Sequence, residues 1–536
     1  MTAGAQTSTA GRPAVSISEL VERAAHSRPD GLAIVDDNGS LTYRNFFESA
    51  MRLAAGLHDA GVTAGSRVGL WLPNTAFWLQ AHVALAHLGA VAVGINARYP
   101  VQEVARIVRA AGITALVIDP RSGGVADSGA LRQLAELPGL TATSVLSASG
   151  PVPVPVGWEC WDGPALLAHQ GSLPAGAPPE AACSVFPSSG STGAPKLVVH
   201  SQQAITAHSI AVADAFAYTQ PDSVVLGQLP MCGVWGFNTV YAAIAAMAPV
   251  IMMERFEAGR AVELIARHGV THANGPDLFL RQLFEAAEED PARVESLRAI
   301  GFSTFSNDGE ELVDRGSRLG ITLFQVYGSS EQQALMVCRP STSEPSLRAD
   351  PGGFPSNPAT RVRIRDPKTG ELAPPGLPGQ VESTGPNILL GYLTDEGIDT
   401  SALTEDGWVR TGDMGLLDDD GFRFLARDKD FLRLSGFLVD PHEIELRMEE
   451  FDDIVDAQVV GVTTDKGPRC VAFVRVASPS SFDEQRVRAR CQEELASYKV
   501  PVRVFRVDDF PRIDGANGPR IQRLALRKIA EERLSA

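Results

Sequence analysis

A chain of 536 residues exceeds what one hydrophobic core usually organises, so two or more domains are expected. The hydrophobic share of 44% and charged share of 21% are those of an ordinary globular protein, which excludes fibrous and wholly disordered classes. A net charge of −17 argues against a broad electrostatic footprint for nucleic acid or an anionic membrane.

The six cysteines (Cys160, Cys183, Cys232, Cys338, Cys470 and Cys491) lie far apart, with no CxxC pair and no Cys/His cluster at metal-ligand spacing. Reduced thiols in a cytoplasmic protein are the simplest reading. Residues 1–13 are small and polar, without the charged start and apolar run of a secretory signal. The apolar run 243–253 is too short to span a bilayer and is broken by Pro249, so no membrane association is expected.

Along the chain, residues 32–35 form a short apolar run. A helix carrying Phe47, Met51, Ala54 and Leu57 follows, then a second run at 68–72. A helix over about 76–88 leads to a strand at 90–93, and a helix through Ile107 leads to another at 113–118. This alternation predicts an α/β fold of parallel sheets covered by helices. The proline-rich stretches 151–155 and 174–179 suit neither a ladder nor a helix and read as surface connections. Composition shifts again near Arg427-Asp428-Lys429-Asp430, after which residues 454–534 look like a small α+β domain.

Residues 183–186 form a short strand, followed by Pro187-Ser188-Ser189-Gly190-Ser191-Thr192-Gly193-Ala194-Pro195-Lys196 and a second strand at 197–199. The two glycines let a backbone approach an anion, four hydroxyls supply donors, and Lys196 adds a point charge suited to a terminal phosphate. A plain Ser/Gly/Pro surface turn is the bland alternative, and the lysine at the loop end weighs against it. A Walker A loop needs Gly-Lys, then Ser or Thr, then a helix; here Pro195 precedes Lys196 and Leu197 follows.

With this loop, the sequence resembles the ANL superfamily of adenylate-forming enzymes, which includes acyl- and aryl-CoA ligases, peptide-synthetase adenylation domains and luciferases. Leu41-Thr42-Tyr43, Leu72-Pro73-Asn74 and Gly89-Ala90 leading to Asn96 look like its N-terminal landmarks. Gln325-Val326-Tyr327-Gly328-Ser329-Ser330-Glu331 resembles the segment whose hydroxyl touches phosphate and whose carboxylate helps hold magnesium. Trp408-Val409-Arg410-Thr411-Gly412-Asp413 looks like the segment whose aspartate grips ribose. By the same resemblance Arg427 contacts the ribose, Lys429 is the hinge and Gly436 borders the thiol's path.

The implied architecture is a large N-terminal domain of helix-covered sheets (1–428) and a small, mobile α+β C-terminal domain (429–536). The implied cofactors are ATP and Mg2+, with CoA as co-substrate. No partner beyond the small-molecule substrate is implied.

Three segments depart from the family pattern. Its C-terminal signature has Gly-Lys before an apolar residue, one more residue and Arg, whereas this chain reads Asn517-Gly518-Pro519-Arg520-Ile521-Gln522-Arg523. Aligned on Ile-Gln-Arg, Arg520 takes the catalytic lysine's place with Pro519 inserted; it keeps the charge on a larger planar fork. Gly233 stands where a gating His is common in the turn 229–236, beside Cys232 and Trp235. Ser306-Asn307-Asp308 stand near the usual Gly-Gly-Ala loop against adenine and substrate, and Gln332 follows Glu331. Cys232, Trp235 and Phe237 read first as packed core residues, and His200, His272 and His442 as capping or surface histidines.

These residues imply ATP-dependent activation of a small or aromatic carboxylic acid as acyl-adenylate, then transfer to CoA. One alternative is diazotase-type activation of nitrite with transfer to an aromatic amine. Another is a catalytically impaired nucleotide-binding scaffold.

Overall fold

The computed structural model describes residues 14–121, 127–188, 195–304, 309–427, 432–434, 437–439, 441–464, 467–477, 482–495, 497, 499–515 and 518–535. The chain divides into two compact units, Met1–Val362 with Ser383–Val409, and Arg363–Glu382 with Arg410–Ala536.

The first unit carries the predicted alternation. Strands Leu32–Asp36, Arg67–Trp71, Val91–Gly94 and Ala115–Ile118 are separated by helices Tyr43–Asp59, Ala76–His87 and Val101–Ala111. Arg67–Trp71 pairs in parallel with both Val91–Gly94 and Ala115–Ile118. Parallel pairing needs a crossover between strands, and the helices supply it. In this sheet Gly391–Thr394, Lys196–Ser201, Ala182–Ser188 and Val91–Gly94 lie side by side in that order. A second sheet runs Thr322–Tyr327, Ala299–Ser303, His272–Pro276, Val225–Gly227, Val250–Met252, Leu32–Asp36 and Gly39–Thr42.

Helices Ala76–His87 and Val234–Ala245 are mostly apolar and carry no charged face, which suits them to the interior. Every residue from Phe77 to His87 and from Val234 to Ile244 is indeed buried. Helix Tyr43–Asp59 is one-sided, but its core face is not the one the sequence suggests. Phe46, Ala50, Leu53 and Leu57 are buried, while Phe47 and Met51 are only half-buried. Ala54 and Leu57 fit both registers, which is why the pattern misplaces the stripe by one residue.

The prolines of 151–155 and 174–179 lie in connections outside regular elements, as expected. Among the described residues no helix is long and apolar enough to cross a membrane. Residues 243–253 instead end helix Val234–Ala245 and form strand Val250–Met252.

In the second unit, Ile454–Thr464 pairs antiparallel with Gly467–Val476, and Arg503–Arg506 adds in parallel at the far side. Helices Pro441–Glu449, Glu484–Glu494 and Arg523–Ser535 complete an α+β unit. Its interior holds a buried ion pair. Glu445 is 1% exposed and receives both arms of Arg523, Nη1 to Oε1 at 2.7 Å and Nη2 to Oε2 at 3.0 Å. The Val459 N–H also donates to Oε1 at 2.6 Å. Burial alone would raise the Glu445 carboxyl, but Arg523, His442 and that N–H together outweigh it and hold the pKa below the usual value.

Arg523→Leu leaves this carboxylate buried without its bidentate partner and is expected to cost about 3–5 kcal/mol. A urea titration of the intact protein checks it. A loss below about 1 kcal/mol would show that the pair contributes little to the fold.

Candidate active site

The site starts from a hairpin. Ala182–Ser188 and Lys196–Ser201 pair antiparallel with Ser188 opposite Lys196, so the strands enter and leave the hydroxyl-rich loop side by side. The Ser188 hydroxyl donates to the Lys196 carbonyl at 3.5 Å, and Lys196 itself is exposed. Ser189, Gly190, Ser191, Thr192 and Gly193 lie outside the described residues.

Gly391–Thr394 pairs antiparallel with the outgoing strand, placing Tyr392 opposite Val198. Residues two apart on a strand share a face, so Lys196 and Tyr392 become diagonal neighbours. The Lys196 ammonium lies 5.0 Å from the centre of the Tyr392 ring. The Tyr392 hydroxyl donates to Glu331 Oε1 at 2.9 Å. Ammonium, aromatic ring and carboxylate thus form one contiguous group, although 61 residues separate Glu331 from Tyr392. No sequence motif singles out Tyr392. Its only local signal is an aromatic residue directly after Gly391, and pairing with the Lys196 strand is what makes it part of the site.

Glu331 is held by its surroundings. It lies in the 3-10 turn Ser330–Gln332, and its carbonyl accepts from the Leu389 N–H at 2.9 Å. His200 Nε2 donates to the Ser330 carbonyl at 2.8 Å. His200 is fully buried, contrary to the expectation of a capping or surface histidine, and so is His272 at 4% exposure. Both sit on strands covered on two faces, where burial falls on polar positions too. His442, by contrast, has a side chain 43% exposed. Burial pulls the His200 pKa down to about 4, against the opposing pull of the Ser330 carbonyl and Glu331, so its ring is neutral at pH 7.

Tyr327 ends strand Thr322–Tyr327, and Gly328 follows it into the turn. A Cβ on Gly328 would fall 2.7 Å from the Ala334 backbone, so only glycine lets the chain fold back there. Gln333, Ala334 and Leu335 all have positive φ, a run that side chains adopt only when the surroundings impose it. The imposing contacts are nearby. Gln332 donates to Ser383 Oγ at 2.6 Å, Asn387 Nδ2 donates to the Gln332 carbonyl at 2.8 Å, and Asn238 Nδ2 donates to the Gln333 carbonyl.

The turn before helix Val234–Ala245 is pinned by Asn74, the last residue of the Leu72-Pro73-Asn74 landmark. Its Nδ2 donates to the Leu229 carbonyl at 2.7 Å, and its Oδ1 accepts from the Met231 N–H at 2.9 Å. Gly233 occupies the helix N-cap with no side-chain cap, and its extended backbone (φ −112°) needs no glycine. Cys232 is buried, and burial pushes its thiol up to about 12, which makes it a packed residue rather than a nucleophile at neutral pH. Trp235 and Phe237 are 5% and 0% exposed within the main core.

In the second unit, Asp413 is 1% exposed and pairs in register with Arg427 across an antiparallel hairpin. The Asp413 N–H donates to Thr411 Oγ1 at 3.1 Å. Arg520 pairs with Ile513 in the hairpin Arg512–Gly515 and Gly518–Ile521. The side chains of Arg427 and Arg520 lie outside the described residues, as do Ser306, Asn307, Asp308, Lys429 and Gly436.

Among the described residues no cluster of three or more His, Cys, Asp or Glu could cage a metal. Glu331 instead offers a single carboxylate beside a cation. That donor set fits Mg2+, which keeps its waters and takes one or two carboxylates along with the phosphates of a nucleotide.

Residues 21–393 match the family model of the AMP-binding enzymes, and residues 443–515 match that of the AMP-binding enzyme C-terminal domain. The 4-coumarate–CoA ligase 5 of Oryza sativa subsp. japonica is 30% identical over 511 residues, covering 92% of this chain and 91% of its own. Among solved structures, ATP-bound MatB from Rhodopseudomonas palustris shares the fold with a TM-score of 0.82 at 24% identity, covering 97% of this chain and 99% of its own. The amide bond synthetase McbA from Marinactinospora thermotolerans aligns with a TM-score of 0.78 at 25% identity, covering 96% of this chain and 100% of its own. The chain therefore belongs to the AMP-binding enzymes, the ANL superfamily of ATP-dependent, adenylate-forming ligases.

Proposed function

We propose that this ligase activates a small or aromatic carboxylic acid with ATP and passes the resulting acyl group to the thiol of CoA. The carrying observation is the contiguous Lys196, Tyr392 and Glu331 group beside the hydroxyl-rich loop. Likeness across nearly the whole length of a 4-coumarate–CoA ligase supports the aromatic acid and the thiol.

Lys196 and the loop from Ser188 to Gly193 take up the charge that develops as pyrophosphate leaves. Glu331 holds Mg2+, which when bound neutralises phosphate charge. Ser330 offers its hydroxyl to phosphate, Tyr327 and Gly328 border the nucleotide with Asn307 and Asp308, and Asp413 and Arg427 fix the ribose. Cys232, Gly233, Trp235, Ser306 and Gln332 line the acid's pocket. Arg520 stands in for the family's lysine at the carboxylate. Thioester formation uses Lys429 as hinge between domains 1–428 and 429–536, with Gly436 beside the thiol.

A second reading keeps the activation and changes the acceptor to an amine. The similarity to an amide bond synthetase favours it, and activation of nitrite for an aromatic amine is its diazotase-type form. The deciding measurement is pyrophosphate release with Mg2+ and ATP against aliphatic acids, aryl acids and nitrite, with CoA or an aryl amine added in turn. CoA-dependent thioester formation from aryl acids is expected. Release with nitrite and amine alone would sink the CoA reading, and ATP binding without any release would leave a nucleotide-binding scaffold.

Arg520 has its own test. Arg520→Ala is expected to slow adenylation on the order of a hundredfold, as loss of one transition-state cation does, while Arg520→Lys matches or exceeds the parent rate. Neutral behaviour of both would show that the alignment across Pro519 is wrong.

A further inference from the structure

The chain folds back on itself between Gly328 and Leu335, and Ser330 and Glu331 ride on the bend. Its two ends touch. The Ala334 N–H donates to the Ser329 carbonyl at 2.9 Å, and a Cβ on Gly328 would fall 2.7 Å from the Ala334 backbone. Ser329 to Ala334 is therefore a closed loop, in which a shift of Ala334 moves Ser329 and the two residues that follow it.

The loop would not close in this way by itself. Gln333, Ala334 and Leu335 have φ of 65°, 53° and 44°, a left-handed run with no glycine in it. Each such residue is disfavoured on the order of tenfold, so the run persists only where outside contacts hold it. Those contacts are donors aimed at successive carbonyls. Ser330 receives His200 Nε2 at 2.8 Å, Gln332 receives Asn387 Nδ2 at 2.8 Å, Gln333 receives Asn238 Nδ2, and Ala334 receives His208 Nε2 at 2.8 Å. With the Leu389 N–H on Glu331, every carbonyl from Ser330 to Ala334 takes a donor from a distant part of the chain.

The two histidines hold opposite ends of the loop. His200 belongs to strand Lys196–Ser201 and His208 to the helix that follows, Gln202–Ala215, and both are fully buried. A carbonyl cannot donate, so Nε2 carries the proton in both rings, and Nδ1 of each is left without a donor among the described residues. Phenylalanine would fill position 208 without a bare nitrogen. What the imidazole adds there is its N–H, delivered to a left-handed residue.

We propose that His208 is a positioning residue for the Glu331 carboxylate that holds magnesium. Its hydrogen bond is to Ala334, and none joins it to Glu331. It acts by keeping Ala334 left-handed. Without that bond Ala334 relaxes to negative φ, the closure onto Ser329 opens, and Glu331 leaves the place where it meets the metal of MgATP. Ser188, Lys196 and Asp413 stand on other strands, so ATP without metal is bound as before. The inference rests on the role proposed above for Glu331 and names what makes that role possible.

The test is calorimetric titration of the full chain with ATP, once with Mg2+ and once with EDTA. It is run on the parent, on His208→Phe, on His208→Gln, and on His208→Phe combined with Ala334→Gly. Mg2+ is expected to tighten ATP binding to the parent by about tenfold or more. In His208→Phe this enhancement falls to about threefold or less, while metal-free ATP binds within about threefold of the parent. His208→Gln restores the enhancement, because its amide sets an N–H where imidazole Nε2 stands. Ala334→Gly also restores most of it with no donor at position 208, because glycine adopts positive φ freely. A mere packing defect would instead be made worse by Ala334→Gly, which removes a further buried methyl.

An unchanged enhancement in His208→Phe overturns the inference. So does equal weakening with and without Mg2+, or a loss that either second change leaves in place. Should His208→Phe fail to fold by circular dichroism, His208→Asn, whose amide stops short of the Ala334 carbonyl, replaces it with the same outcomes. A parent that binds ATP without regard to Mg2+ overturns the inference alone, whereas a parent that binds no ATP removes the ligase reading and the inference with it.

Discussion

Lys196→Ala is expected to slow substrate-dependent pyrophosphate release by about 10²–10³-fold while the protein stays folded. The side chain is exposed, so its loss leaves no cavity. Its charge is not spent internally, because no carboxylate among the described residues pairs with it and its ammonium lies over the face of Tyr392. A cation held against an aromatic ring keeps its hydrogen-bond donors for a phosphate, and the ring restricts where the flexible stem can point. Lys196→Arg is expected to fall between the two, since the planar fork does not reproduce the reach of an ammonium. Tyr392→Phe separates the parts further. It keeps the ring under Lys196 and removes the hydrogen bond to Glu331, so about a tenfold loss is expected, expressed mainly in the Mg2+ concentration needed for half-maximal rate. Stopped-flow pyrophosphate release under single turnover, with an unchanged melting curve as control, checks all three. Near-parent rates in Lys196→Ala would remove this lysine from the phosphate site.

What could be read from the sequence were the parts whose function is local. The strand, loop and strand around Ser188 and Lys196 follow from composition and glycine placement, and the structure pairs those two residues across the hairpin. Tyr392 escaped because its relevance comes from strand order, which sets it beside Val198 from almost two hundred residues away. Helix Tyr43–Asp59 shows the limit of periodicity itself, since two registers share Ala54 and Leu57 and only packing chooses Phe46 over Phe47. His200 shows that a polar residue in a strand says little about exposure. The partner that makes its burial tolerable is the Ser330 carbonyl, 130 residues away.

Buried histidines lead to the second large effect, a steep loss of stability of the first unit as pH falls below about 6.5. Burial lowers the pKa of His82 to about 3 and of His200, His208 and His272 to about 4, from an ordinary value of 6.5. The neighbours do not reverse this. His82 lies between Tyr241 Oη and Ser184 Oγ; His208 donates to the Ala334 carbonyl and faces His200; His272 is pushed down further by Arg298 and only partly restored by Asp222. In each case the folded pKa is below the unfolded one, so above pH 6.5 both states are neutral and nothing is lost. Between about 6.5 and 4 the unfolded chain binds protons that the folded chain refuses, and stability declines as pH falls. One such group contributes up to about 1.4 kcal/mol per pH unit, so the four together approach about 5 kcal/mol per unit. Against a typical total of about 5–15 kcal/mol, the first unit should unfold within one to three pH units below 6.5. Glu445 acts lower and in the other unit. Its folded pKa is held below the ordinary 4.5, so its contribution is lost only as pH drops below that value. Urea midpoints measured every half unit from pH 7.5 to 4.5 should reveal the decline, and His208→Asn should reduce its slope by about a quarter by removing one of four refused protons. A midpoint that stays flat to pH 5, or a slope that His208→Asn leaves untouched, would mean that these rings accept protons without unfolding the sheets around them.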